Sequence, residues 1–203
     1  MKEIMDNIKT VCALICLFFP VVLWSCDAEK ADTPAPLATL EQADHVKGGP
    51  NRPNSAYHNK VLAQVRQATA KYHRIEAAIA DGYMASSDCV ASPAGGMGYH
   101  FVNFMLVDGI VDPMHPEVLV YEPQKNGKLK LVAIEFMVMA ASWDPLYATP
   151  PMLGDQVYDD HRAPGSGGPP FPHYQLHAWV WKNNPSGMHA PFNPKVSCQY
   201  ATE

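Results

Sequence analysis

Two imidazoles and two indoles recur at alternate positions near the C-terminal end of the chain, in the segment His173–Trp181 (HYQLHAWVW). An extended strand directs alternate side chains to opposite faces. His173, His177, Trp179 and Trp181 are therefore expected on one face, and an ordinary apolar core stripe on the other. Burying so many ring nitrogens is costly unless something uses them. The segment is thus the expected wall of a ligand-binding pocket.

Two other apolar runs are interrupted by groups that can bind a metal. Glu135 lies within the run LVAIEFMV, and His100 lies between two aromatic residues. A buried carboxylate must be paired, protonated or metal-bound. With His177, and with His173 as a further candidate, His100 and Glu135 compose a set that suits zinc, iron or manganese. Two alternatives stay open: Glu135 is a catalytic base, or these groups only hydrogen-bond in a polar network.

The N-terminal segment resembles the leader of a bacterial lipoprotein. An apolar run from Val11 ends in Leu23-Trp24-Ser25-Cys26, in which a small residue precedes the cysteine that would carry the lipid. Residues 1–25 are therefore predicted to be a lipoprotein signal peptide. Residues 26–54, rich in Ala, Pro, Asp and Gly, are predicted to be a flexible tether. The expected location is the cell envelope, anchored to a bacterial membrane. A plain signal peptide that leaves Cys26 as a free thiol, or an uncleaved anchor, is the alternative.

Charge and cysteine content restrict the partners. Cys89 and Cys198 are the cysteines that remain beyond Cys26, and in an exported protein such a pair is expected to form a disulfide. A metal-binding pair is the alternative. Closing so long a loop stabilises the fold by about 4–5 kcal/mol in the chain-entropy view. The net charge is −5 and the chain has no basic block, which argues against nucleic acid as a partner.

The pattern of apolar residues predicts the elements that must position these groups. A helical stripe runs over residues 55–81, and glycine follows at position 82. Strand-like runs cover residues 99–106, 117–122, 130–140 and 173–181, with Asn-Gly at the turn between the second and third. The sequence therefore predicts one α+β domain over residues 55–203, in which one long N-terminal amphipathic helix packs on a mainly antiparallel sheet. An irregular segment as long as 149–172 is either functional or disordered in a compact domain, and a lid over the pocket is the functional hypothesis.

Three blocks carry a resemblance to a known family. They are GMGYHFVN at residues 96–103, PEVLVYEP at residues 116–123, and HYQLHAWVW at residues 173–181. In their order and spacing they resemble an uncharacterised family of bacterial exported or lipoprotein domains. The resemblance implies export and a shared fold, and it assigns no reaction and no role to any residue.

These observations favour a lipid-anchored envelope protein that binds a small ligand or a metal in a pocket lined by His and Trp. A metal-dependent enzyme that uses the His/Glu cluster is the second hypothesis. A structural or interaction module without a ligand is the third.

Overall fold

The computed structural model of the chain describes residues 55–202. The predicted signal peptide, the tether and Cys26 lie outside these residues. The described part forms one α+β domain. Its helical segments are α1 (Ala56–Thr69), a 3-10 turn (Ala70–His73), α2 (Ile75–Ala80) and α3 (Ala140–Trp143). Its strands are β1 (Met84–Ala85), β2 (Val90–Ser92), β3 (Gly95–Val102), β4 (Val118–Pro123), β5 (Leu129–Met139), β6 (Met152–Leu153), β7 (Gln156–Val157), β8 (Asp159–His161) and β9 (His173–Ala178).

The predicted long N-terminal helix is shorter than expected. Ser55 caps α1 by accepting a hydrogen bond from the backbone N–H of His58, and α1 is 14 residues long. The chain then tightens into the 3-10 turn and passes through an extended residue, Arg74, before α2 begins. The hydroxyl of Tyr121 donates to the carbonyl of Tyr72 at 2.7 Å, so a strand residue takes up an acceptor that a continuous helix would use itself. Within residues 55–202 no helix has the length and apolar character needed to span a bilayer.

The main sheet is antiparallel, in the order β1-β3-β4-β5-β9-β8, and β2 pairs with another part of β3. The hairpin between β4 and β5 forms where Asn-Gly predicted it, with Gly127 at φ +74° and the N–H of Lys128 bonded to the side chain of Asn126. Antiparallel pairs place directly opposite residues on the same face. The register of β3, β4, β5 and β9 therefore decides which side chains meet.

The two faces of the sheet are covered differently. One face packs on the helices and forms the large core, in which Val61, Leu62 and Val65 of α1 meet strand residues such as Phe136 and Leu176. The opposite face carries two smaller apolar clusters. One contains Val120, Val132, Ala133, Trp179 and Val196, and the other contains Val102, Val118 and Met137. The polar residues singled out in the sequence lie between these two clusters.

The segment 149–172 is more regular than the sequence indicated. It contains the small hairpin β6–β7, and β8 extends the main sheet by pairing with β9. The remaining turn crosses the sheet face at Gly168, where a Cβ atom would lie 2.7 Å from the Nε2 atom of His173. The chain therefore passes directly over His173, and whether this turn is a lid stays a prediction.

The cysteine pair is bonded as predicted. Cys89 and Cys198 lie with their sulfur atoms 2.05 Å apart, across a sequence separation of 109. The bond joins the segment just before β2 to the C-terminal tail.

Candidate metal centre

Strands β3, β5 and β9 bring His100, Glu135 and His177 together on the face opposite the helices. Glu135 of β5 pairs directly with His177 of β9 on one side and with Val118 of β4 on the other. Val118 in turn pairs with Val102 of β3, and His100 lies two residues earlier on the same face. Each residue thus comes from a different strand, so the register of the sheet assembles the group.

The three side chains lie at nearly the spacing of metal ligands. The Nε2 atom of His100 is 3.6 Å from one carboxylate oxygen of Glu135, and the Nε2 atom of His177 is 3.9 Å from the other. One ligand atom from each residue lies within 4.8 Å of the others. Tetrahedral ligands about 2.1 Å from zinc are about 3.4 Å apart. Small side-chain movements would therefore bring all three into contact with one ion.

Burial makes this group costly without a partner. The side chains of Glu135 and His177 are only 5% and 1% exposed, whereas that of His100 is 13% exposed. Burial raises the pKa of Glu135, and the imidazoles of His100, His173 and His161 act in the opposite direction. Burial also lowers the pKa of His100 and lowers that of His177 to about 4. Neutral imidazoles with free lone pairs are the form that binds a metal.

The hydrogen bonds of the two histidines differ. Among residues 55–202 neither ring nitrogen of His177 has a hydrogen-bond partner, although both are buried. The Nδ1 atom of His100 lies 3.1 Å from the hydroxyl of Ser87, which leaves its Nε2 atom facing Glu135. Metal-binding histidines ordinarily use their second nitrogen in this way.

Further polar groups of the same face surround the three residues. His173 contacts the carbonyl of Phe171 through Nδ1 and the side chain of Gln175 through Nε2. The ring of His161 stacks on that of His173, with centroids 5.3 Å apart. His173 is thus on the predicted face but is hydrogen-bonded on both sides of its ring. Its role as a ligand-binding residue stays a prediction.

The tryptophans do not form one wall with the histidines. Strand β9 ends at Ala178, so the alternation holds as far as Trp179 and fails at Trp181. The indole of Trp179 packs in the small cluster with Val120 and donates to the carbonyl of Ala190. The indole of Trp181 packs on the helix side and donates to the hydroxyl of Thr69. Both indole N–H groups are therefore satisfied by the protein itself.

Sequence reasoning did not find Ser87, His161 or Asp159. Ser87 lies in a turn-rich segment without apolar periodicity. Asp159 and His161 belong to an edge strand of three residues, and pairing places them opposite Gln175 and His173. So short a strand has no reliable periodic signal.

Two imidazoles and one carboxylate can hold a divalent transition metal and leave coordination positions for water or a small ligand. No protein-family model matches the chain, and neither the curated proteins nor the solved structures yield a significant match.

Proposed function

We propose that this protein binds a divalent transition metal through His100, Glu135 and His177 at the bacterial cell envelope. The observation that carries the proposal is the convergence of these three groups, with ligand atoms within 4.8 Å, in a part of the sheet where two of them are almost fully buried. An ion would give a partner to the ring of His177, which has none among the described residues.

The ligand types define the class of metal. Imidazole and carboxylate together suit zinc, iron and manganese, whereas calcium prefers a shell of oxygen ligands. Because three protein ligands leave the coordination incomplete, a small molecule or water would fill the remaining position. The sequence favoured a small ligand or a metal, and of these two we propose the metal, with a position left for a small molecule or water.

Metal titration of the full-length protein, purified in detergent after treatment with a chelator, tests the proposal. Calorimetry and elemental analysis should show one tightly bound zinc, iron or manganese ion for each chain. His177→Ala should abolish stoichiometric binding, because it removes one of the three ligands.

His173→Ala is the matched control. It removes another buried imidazole from the same face of β9, but one whose nitrogens are already hydrogen-bonded. This variant should keep one ion for each chain. A wild-type protein that remains metal-free after reconstitution would refute the proposal, and equal loss in both variants would refute the choice of ligands.

We propose the envelope location on different grounds. The lipobox-like Leu23-Trp24-Ser25-Cys26 supports a lipid anchor, and a disulfide between Cys89 and Cys198 suits an oxidising compartment. Metabolic labelling with a fatty-acid analogue should mark the wild-type chain and not Cys26→Ser. Equal labelling of both would contradict the anchor.

A further inference from the structure

The Ser87 hydroxyl is the group that fixes the ring of His100. Its oxygen accepts a hydrogen bond from the backbone N–H of His100 at 3.2 Å and lies 3.1 Å from the Nδ1 atom of the same residue. A metal on Nε2 requires the proton on Nδ1, and this N–H then donates to the Ser87 oxygen. A hydroxyl oxygen has two lone pairs, so it can accept both bonds.

The backbone that carries Ser87 leaves the sheet directly after Ser86, whose N–H and hydroxyl still donate to the carbonyl of His100. It links two short strands that pair with the same neighbour: Ala85 at the end of β1 lies opposite Phe101, and Val90 at the start of β2 lies opposite Gly98. The link between these two pairs has four residues, whereas the facing part of β3 has two. The link therefore bulges away from the sheet.

The disulfide closes this bulge. Cys89 lies two residues after Ser87 and is bonded to Cys198. The tail around Cys198 is itself attached to the sheet, because the N–H of Ser197 donates to the carboxylate of Glu122 at 3.2 Å and Thr202 exchanges hydrogen bonds with the hydroxyl of Tyr99. The bond therefore connects the Ser87 link, through the C-terminal tail, to β3 and β4.

We infer that Ser87 is a positioning residue of the metal centre and that the Cys89–Cys198 disulfide holds it in place, so that metal affinity depends on this bond. The inference rests on the proposed function. Without the disulfide the link can move away from β3, and the His100 ring then loses the partner that fixes its orientation and its tautomer.

Zinc affinity of the full-length protein, measured by competition with a chromophoric chelator, gives the first test. Ser87→Ala should weaken binding about 10–100-fold, as loss of a second partner of a metal-bound histidine ordinarily does. Ser87→Thr, which keeps a hydroxyl, should restore most of the affinity. Ser92→Ala is the matched control, because the Ser92 hydroxyl bonds to the N–H of Ala94 and not to His100.

The role of the disulfide is tested with Cys89→Ala and Cys198→Ala together, which adds no thiol that could itself bind zinc. This double variant should also lose affinity. Adding Ser87→Ala to it should cause little further loss, because interacting sites are not additive. If the losses in zinc affinity are fully additive, the proposal that the disulfide acts through Ser87 is overturned. If the double variant fails to fold, wild-type protein with the bond reduced and both thiols alkylated takes its place.

The NMR spectrum of the His100 ring nitrogens provides a readout that needs no metal. The metal-free wild type and Ser92→Ala should show one tautomer, and Ser87→Ala should show a mixture. Unchanged zinc affinity and an unchanged tautomer in Ser87→Ala would overturn the inference. If the wild type binds no zinc, and Ser87→Ala nevertheless turns the single His100 tautomer into a mixture, the proposed function is refuted. The role of Ser87 in orienting the His100 ring is then kept.

Discussion

Replacing Glu135 by Gln should separate the metal-binding role of this carboxylate from any structural role. The amide has nearly the same shape but no charge. The two imidazoles lie 3.6 and 3.9 Å from the carboxylate oxygens, beyond hydrogen-bond range, so the substitution breaks no hydrogen bond within the part of the chain that the structure describes. Burial raises the pKa of Glu135, so a charge on this carboxylate costs the metal-free protein free energy that a neutral amide does not. Metal-free Glu135→Gln should therefore be at least as stable as the metal-free wild type.

The metal should reverse this order. A ligand that binds only the native state at 100 times its Kd adds about 2.7 kcal/mol to the free energy of unfolding. For a domain of this size that corresponds to a rise in Tm of roughly 5–10 °C. The wild type should show this rise with zinc, whereas Glu135→Gln should show little or none because it lacks the anionic ligand.

Glu122→Gln is the control in the same sheet. Both carboxylate oxygens of Glu122 lie 2.7 Å from the Nζ atom of Lys182, so this variant loses an ion pair and should be less stable without metal. It should nevertheless keep the full rise in Tm with zinc. Calorimetric melting of the three proteins, each with and without metal, gives the comparison. A normal rise in Tm with zinc in Glu135→Gln, or loss of that rise in Glu122→Gln, would refute the assignment of Glu135 as a metal ligand.

Three further predictions concern the rest of the domain. In urea unfolding, Gly168→Ala should lower the stability of the domain more than Gly165→Ala. Both glycines have positive φ, but of the two positions only 168 would bring a Cβ atom to 2.7 Å from an imidazole nitrogen. Equal losses of stability would show that backbone strain alone is responsible. Tyr121→Phe should lower the free energy of unfolding by about 1–3 kcal/mol, because it leaves the carbonyl of Tyr72 without its hydrogen bond. Tyr158→Phe should change it little, because the buried hydroxyl of Tyr158 has no partner among the described residues. Burial lowers the pKa of His189 to about 4, below the value of about 6.5 that is ordinary for histidine. The unfolded chain therefore takes up the proton first, and stability falls as pH drops from about 6.5 to about 4. His189→Gln should reduce this pH-dependent loss in the free energy of unfolding by at most about 3 kcal/mol. An unchanged pH profile would contradict the assignment of the loss to His189.

The strands were predictable because local signals agreed with one another. The turn at Asn126–Gly127 limits both neighbouring strands, and β4 and β5 each lie within one residue of their predicted bounds. The helix was less predictable because its break has a distant cause. Its apolar stripe continues past Thr69, but the hydroxyl of Tyr121, from the sheet, takes up the carbonyl of Tyr72. A periodic pattern cannot register a hydrogen bond from another element.

The site was predictable in its residue types and not in its geometry. A histidine and a glutamate inside apolar runs are visible in the sequence, yet their convergence depends on the register of four strands and on a bulge between Val120 and Tyr121. The same limit explains Trp181. Alternation predicts its face only while the strand continues, and the strand ends at Ala178. Ser87 has no local signal because its partner, His100, comes from another strand.

What separates Glu135 and His177 from the buried residues Glu117, Glu122 and His173 is that neither side chain forms a hydrogen bond within residues 55–202. Glu117, Glu122 and Glu135 are all buried in the same sheet. Glu117 accepts a backbone N–H of β5, and Glu122 is paired with a lysine, so the fold accounts for both. Among residues 55–202 the ion-pair partners of Glu135 are two imidazoles at 3.6 and 3.9 Å, which is beyond hydrogen-bond range. Likewise His173 is hydrogen-bonded through both nitrogens, while His177 has no partner among the described residues. A buried polar group without a partner costs a protein stability. Glu135 and His177 face each other 3.9 Å apart, so one shared cation would give both of them a partner.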